Sequence, residues 1–166
     1  MDSFSFFVPG EPITEGSVRT FTSGQRVVVT HDRGPELDQW RLRVARAAEA
    51  AARKAGWEPR YDGPVAVTAA FLLPRPKSAP KSRQWPHVKP DLDKLQRAVG
   101  DALSPYKRPG VLRDDSRIVE WRASKQYAGG PRMVGAVITV STVDLAGLSV
   151  TYACAEWLEA EERAIQ

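Results

Sequence analysis

Apolar and polar positions alternate with a period of two in several stretches of the chain. In two others apolar positions recur near every 3.6 residues, and these patterns predict the elements. Residues 4–8 read as a short strand closed by Pro9-Gly10. Residues 17–22 and 25–30 flank Ser23-Gly24 and predict a hairpin. Gly34-Pro35 opens a helix with proline at its first position. Leu37, Trp40, Val44, Ala47, Ala51 and Ala55 form its apolar stripe, and Gly56 stops it. Its other face carries Gln39, Arg43, Arg46 and Arg53, either solvated or set against phosphates. Val65–Leu73 is a strand with Val65, Val67, Ala69, Phe71 and Leu73 on one face. Leu92–Leu103 is a short helix whose core side is Leu92, Leu95, Val99 and Leu103. Residues 117–125 alternate, with Val119, Trp121 and Ala123 inward and Glu120 and Arg122 outward. After Gly129-Gly130-Pro131, residues 133–141 alternate with Val134, Ala136, Ile138 and Val140 inward. Two alternating strands joined by a turn predict an antiparallel pair.

This order predicts an α+β fold of two layers, with helices packed on one face of a mixed, largely antiparallel sheet. It divides into a domain over residues 1–141 and an acidic, helical C-terminal appendage over 142–166, where Glu156, Glu159, Glu161 and Glu162 cluster.

The 166 residues suit one domain with a real core. Cys154 stands alone, which excludes an intrachain disulfide and a CxxC metal framework. With only His31 and His87, a multi-histidine zinc site is excluded, so a catalytic metal would rely mainly on carboxylates. No apolar run approaches the roughly 18–20 residues of a membrane span. The start, MDSFSFFVPG, carries an acid where a secretory signal has a basic residue. The expectation is a soluble, cytoplasmic protein. Net charge is +4 but unevenly spread: residues 75–125 hold 13 Lys/Arg against 6 Asp/Glu, and the rest holds 11 against 14. A basic middle third fits a polyanionic partner, and also an ordinary solvated surface.

Residues 74–90, PRPKSAPKSRQWPHVKP, contain five prolines and five Lys/Arg, which predicts an irregular basic loop. Long irregular loops inside compact domains are uncommon and often functional. Lys81, Arg83 and Lys89 interleaved with Trp85 and His87 suit backbone contact plus stacking on an unpaired base, although Trp85 could instead pin the loop to the domain. Asp91-Leu92-Asp93 follows at a helix start, where acids also serve as caps and complement the dipole. Asp114-Asp115 ends the next loop, where acids are also turn signals. Carboxylates converging on one point repel one another unless a hard cation sits between them, and oxygen ligands select Mg2+ or Mn2+. Asp93, Arg97 and Asp101 recur at i, i+4 and i+8, so Arg97 is expected to neutralise Asp93 at rest.

The run from His87 through Lys89-Pro-Asp-Leu-Asp-Lys-Leu-Gln-Arg-Ala-Val-Gly-Asp-Ala-Leu103, followed by Asp114-Asp-Ser-Arg-Ile-Val119 and Lys125, resembles the RusA family of Holliday junction resolvases. The openings Phe7-Val-Pro-Gly-Glu-Pro12 and Phe71-Leu-Leu-Pro-Arg-Pro76, with Gly16 and Arg19, resemble it too, so the likeness spans about residues 4–141. The resemblance implies that Asp91, Asp93 and Asp115 are the metal-binding catalytic acids for Mg2+ (or Mn2+), with Asp114 auxiliary. It implies a homodimer that nicks branched DNA symmetrically and leaves ligatable 5′-phosphate ends. Arg97 stands where the family has lysine, Lys94 where it favours asparagine, and Arg117 where it favours glutamine. An arginine keeps the charge for a transition-state phosphate but does not transfer protons at neutral pH. DNA contacts are expected from Lys81, Arg83, Trp85, His87, Lys89, Lys94, Lys125 and Arg19. Residues 4–8, Trp57, Trp121 or Trp157 offer material for the dimer interface. A different reading of the same features is a branched-DNA-binding module without catalysis.

Overall fold

The computed structural model describes residues 3–15, 18–23, 26–31, 34–104 and 110–143, with side chains between 16 and 33 outside the description. Residues 144–166 also lie outside it, including Cys154, Trp157 and almost all of the expected appendage. The elements are β1 (Ser3–Pro9), β2 (Val18–Ser23), β3 (Arg26–His31), α1 (Gly34–Ala55), β4 (Val65–Leu73), α2 (Leu92–Leu103), β5 (Ile118–Tyr127) and β6 (Gly135–Thr142). Short 3-10 turns occupy Asp115–Arg117 and Pro131–Met133. The fold is α+β, as the sequence predicts.

The main sheet has the order β1-β6-β4-β5, antiparallel except for the parallel β4–β5 pair. The expected pairing of the last two strands does not form, because β4 lies between them. Its alternate residues Val65, Val67, Ala69, Phe71 and Leu73 are all buried, as befits a central strand. The loop and α2 form the crossover that a parallel pair requires. β2 and β3 make a separate two-stranded ribbon, the expected hairpin with its turn one residue later than Ser23-Gly24, since Ser23 is in β2 and pairs with Arg26 in a register that begins at Val18↔His31.

Lateral rows on one face of the main sheet build the core. Phe4, Val140, Val67 and Trp121 form one row; Phe6, Ile138, Ala69 and Ala123 the next; Val8, Ala136, Phe71 and Lys125 the third. The third row ends in a charge rather than an apolar group. Val119 is 55% exposed, against the inward expectation. Val65 pairs with Ile118 and Ala66 with Glu120, so Val119 is the extra residue of a bulge and loses its place in the alternation.

α1 and α2 cover this face. Leu37, Trp40 and Val44 are buried as expected, but Ala45, Ala48 and Ala52 take the deep alanine positions. Ala47, Ala51 and Ala55 flank them, partly buried. In α2, Leu95, Val99 and Leu103 are fully buried, and Leu92 packs at the margin. β1, which contains the expected strand 4–8, is an edge strand. Trp57 is not a free anchor: it is 6% exposed and meets Phe4 edge-on at 5.0 Å. Trp121 likewise packs on the core. Among the described residues no helix is long and apolar enough to cross a membrane.

Candidate active site

Pro90 ends the basic loop and α2 begins at once. Asp91 takes the N-cap position, and its carbonyl receives the Leu95 N–H at 3.2 Å. Its carboxylate makes no cap hydrogen bond. It lies 3.3 Å from Lys94 Nζ instead. Asp93 is exposed in the first turn, where the helix dipole favours a negative charge, and has no ion pair or hydrogen bond among the described residues.

Asp114 and Asp115 divide their tasks. Asp114 caps the 3-10 turn by accepting the Ser116 N–H at 2.9 Å. The Ser116 hydroxyl and N–H hold its carboxyl below the usual range. Asp115, the first residue of that turn, is exposed and likewise unpartnered among the described residues. Its Cβ lies 4.0 Å from where a side chain on Gly100 would begin, so it stands beside the third turn of α2. Asp62 pairs with both flanking cations, Arg113 and Arg117 (2.7 Å to Nε), and Arg113 first, then Arg117, lower its pKa. This leaves Arg117 engaged within the protein.

The two acidic groups are brought to one helix but not to one point. Seven residues separate Asp93 from Gly100, about 10 Å of helical rise. Asp115 precedes Ile118 at the start of β5, whereas Lys125, which reaches the Pro90 carbonyl, lies about 23 Å further along the strand. Among the described residues no three His, Cys, Asp or Glu side chains gather as a metal-holding group. The donor chemistry nevertheless suits a hard cation. Mg2+ is usually bound through one or two carboxylates plus substrate phosphates rather than by an all-protein cage, and Asp91 with Asp93 supplies such a pair.

Arg97 departs from the expected pairing. Its Nε lies 2.9 Å from Glu15 Oε2, and it makes no ion pair with Asp93. The segment after β1 crosses α2, with the Glu15 N–H donating to the Lys94 carbonyl at 3.3 Å, and this seats the Glu15 side chain beside Arg97. Arg41 of α1 joins the group, 3.3 Å from Glu15 and in close contact with Asp101. Burial raises the Asp101 carboxyl above the carboxylate range; Arg41 opposes the rise and Glu15 adds to it. Glu15 and Arg41 escape a reading of the sequence by pattern. Arg41 borders the buried Trp40, a position that periodicity marks as marginal, and Glu15 sits in a segment with no period at all.

In the basic loop Lys81, Trp85, His87 and Lys89 are exposed, Trp85 by 62%. Arg83 is half-buried and Pro86 buried. Lys125 Nζ donates to the carbonyls of Val88 and Pro90 at 2.8 and 2.7 Å. Arg19 lies in β2, where side chains are outside the description.

The family model of endodeoxyribonuclease RusA matches residues 9–139. The chain belongs to the RusA family. The match runs from the end of β1 into β6, and so contains both acidic groups, Arg97 and the loop. A relative, the uncharacterized protein YqaN of Bacillus subtilis (strain 168), is 29% identical over 143 residues, 80% of this chain and 94% of that one. Membership of the RusA family makes a nuclease of the Holliday junction resolvase type the frame for this site. Within that frame Asp93 and Asp115 are exposed and Asp91 is half-buried, with Asp91 and Asp93 directly after the basic loop.

Proposed function

We propose that this RusA family member is a divalent-metal-dependent endodeoxyribonuclease that resolves four-way DNA junctions by symmetric phosphodiester hydrolysis as a homodimer. The observation that carries the reading is Asp91: it holds the N-cap position yet leaves its carboxylate off the cap, two residues from the unpartnered Asp93. The Asp91 carboxylate is turned instead toward Lys94 at 3.3 Å and is 46% exposed, which leaves it accessible to a cation beside Asp93.

Asp91 and Asp93 are the proposed holders of Mg2+, with Mn2+ as its substitute, and Asp115 is the proposed third acid. A bound divalent ion supplies Lewis-acid polarisation of the scissile phosphate and an activated water. Arg97 offers a fixed positive charge to the phosphate in the transition state. Lys81, Arg83 and Lys89 neutralise backbone phosphates, with Lys94 and Arg19 as further contacts. Trp85 and His87 present rings to an unpaired base. Two-fold junction symmetry favours a C2 dimer, which sets two identical sites at a fixed separation.

The test is nicking of a synthetic four-way junction and of a linear duplex of the same sequence, with Mg2+ and with a chelator. Paired, metal-dependent nicks on the junction alone support the proposal. Binding without nicking in Mg2+ selects the non-catalytic module.

A further inference from the structure

Two cations at the carboxyl end of the β4–β5 pair hold the proline-rich loop by its own backbone. Arg75 lies two residues beyond β4. Its Nη1 donates to the Arg83 carbonyl and its Nη2 to the Pro80 carbonyl, each at 2.8 Å. Its guanidinium also lies over the Tyr127 ring, 4.9 Å from the centroid. Lys125 stands opposite Phe71 on the core face of β5 and donates to Val88 and Pro90. Arg75 thereby ties the first half of the loop and Lys125 the second. Turn hydrogen bonds from Ala79 to Pro76, Arg83 to Pro80 and His87 to Trp85, at 3.0, 2.9 and 2.9 Å, complete the frame. A stretch with five prolines forms no ladder of its own, so these side-chain donors replace the backbone partners it lacks.

The consequence is a division among the loop's cations. Arg75 and Lys125 point their charges at protein carbonyls. Lys81 and Lys89 are exposed and make no ion pair among the described residues. Trp85 projects beside them while its neighbour Pro86 is buried.

We infer that Arg75 and Lys125 are positioning residues that hold residues 74–90 as a preformed docking platform, presenting Trp85, Lys81 and Lys89 to a DNA strand at a branch point. The DNA partner rests on the nuclease reading above; the clamp itself does not. A platform ordered before binding avoids the entropy of ordering a loop in the complex. Lys125 thus acts on DNA through the loop and not through a phosphate.

The experiment compares wild type, Lys125→Met and Arg75→Met in two measurements. The first is amide hydrogen exchange without DNA. Both variants should exchange roughly tenfold faster across residues 74–90, the consequence of losing charged hydrogen bonds, with α1 and β6 unchanged. The second is junction binding against salt. Affinity should fall at every salt concentration while the log–log slope stays at the wild-type value. Unchanged exchange overturns the clamp; a slope lowered by about 0.9 for Lys125→Met then reassigns that lysine to a phosphate. Faster exchange throughout α1 and β6 also overturns it, since the residues would then be serving general stability. If the wild type binds no DNA, the nuclease reading falls and exchange alone decides the clamp.

Discussion

Arg97 and Glu15 form an ion pair, Nε to Oε2 2.9 Å, across the contact between α2 and the segment after β1. The Arg97 side chain is 71% exposed and the Glu15 side chain only 15%, so the acid is fixed and the cation is the part that can swing. Arg97→Ala should lower the junction cleavage rate by up to about 100- to 1000-fold, the range for loss of one charge-stabilising donor, and weaken binding far less. Arg97→Lys should keep substantial activity. Single-turnover cleavage beside equilibrium binding checks both, and a kinetically silent Arg97→Ala would reduce the pair to a surface contact.

The carboxylates of Asp93 and Asp115 have no partners among the described residues, so replacing either with asparagine should leave stability within about 0.5 kcal/mol of wild type. Asp91→Asn, Asp93→Asn and Asp115→Asn should each abolish cleavage in Mg2+ while junction binding persists or tightens, because a charge that repels phosphate is gone. Chemical denaturation and nicking assays on the same preparations check this. Because Asp115 stands far along β5 from Lys125, near wild-type activity in Asp115→Asn would remove it from the site without touching the other two.

Replacing Lys81, Arg83 and Lys89 with alanine should weaken binding to junction and duplex alike. Every backbone phosphate deprived of its cation should lower the slope of log affinity against log salt by about 0.9. An unchanged slope would move the electrostatic footprint elsewhere, with the Arg43, Arg46 and Arg53 face of α1 next to be tested.

Asp101 should shape the pH dependence of stability. Its pKa is raised by burial, so its stabilising contribution is full below the unfolded carboxylate value, near 3.9, and is lost as pH rises through the folded value. Asp62 and Asp114 have lowered values and act in the opposite sense: they stabilise above the unfolded pKa and lose that contribution as pH falls through the folded one. Asp101→Asn should therefore gain stability relative to wild type between about pH 3 and pH 7, while Asp114→Asn should lose it. Denaturant melts at the two pH values decide the signs.

The dimer makes its own prediction. Light scattering should give about twice 18.3 kDa. Mixed dimers of wild type and Asp93→Asn should nick one strand without resolving the junction. A monomer that still makes paired nicks at high dilution contradicts it. Phe7 and Val137 are cross-strand partners, 40% and 43% exposed on the sheet face away from the helices, and offer apolar surface for the contact.

Much of this architecture is legible in the chain because pattern and punctuation agree. β4 and α2 match their sequence bounds to the residue: the first alternates up to Pro74, and the second starts after a proline with leucines on one side. What escapes depends on partners distant in sequence. Neighbouring strands usually pair, and nothing local says that β4 separates β5 from β6. The bulge at Val119 shifts a parity that alternation alone carries forward. Helical spacing places Asp93 within reach of Arg97, but Glu15 competes from about 80 residues away and sequence spacing is blind to it. The acids Asp91, Asp93 and Asp115 are visible as types; their separation along β5 depends on the direction of the crossover.

That crossover leaves the sheet at the end of β4 and rejoins it in the adjacent strand. Everything between Pro74 and Arg117 is therefore one detour between two neighbouring tracks; α2 within it is anchored in the core by Leu95, Val99 and Leu103, and the stretch before Pro90 is mostly exposed. Residues 77, 78, 81 and 82 in that stretch are exposed and contribute no core side chain. The Arg75 and Lys125 ends must stay, since they fix where the detour departs and where the helix begins. The domain thus joins a fixed chassis, α2 included, to one outlying segment whose exposed side chains can vary without unseating the core.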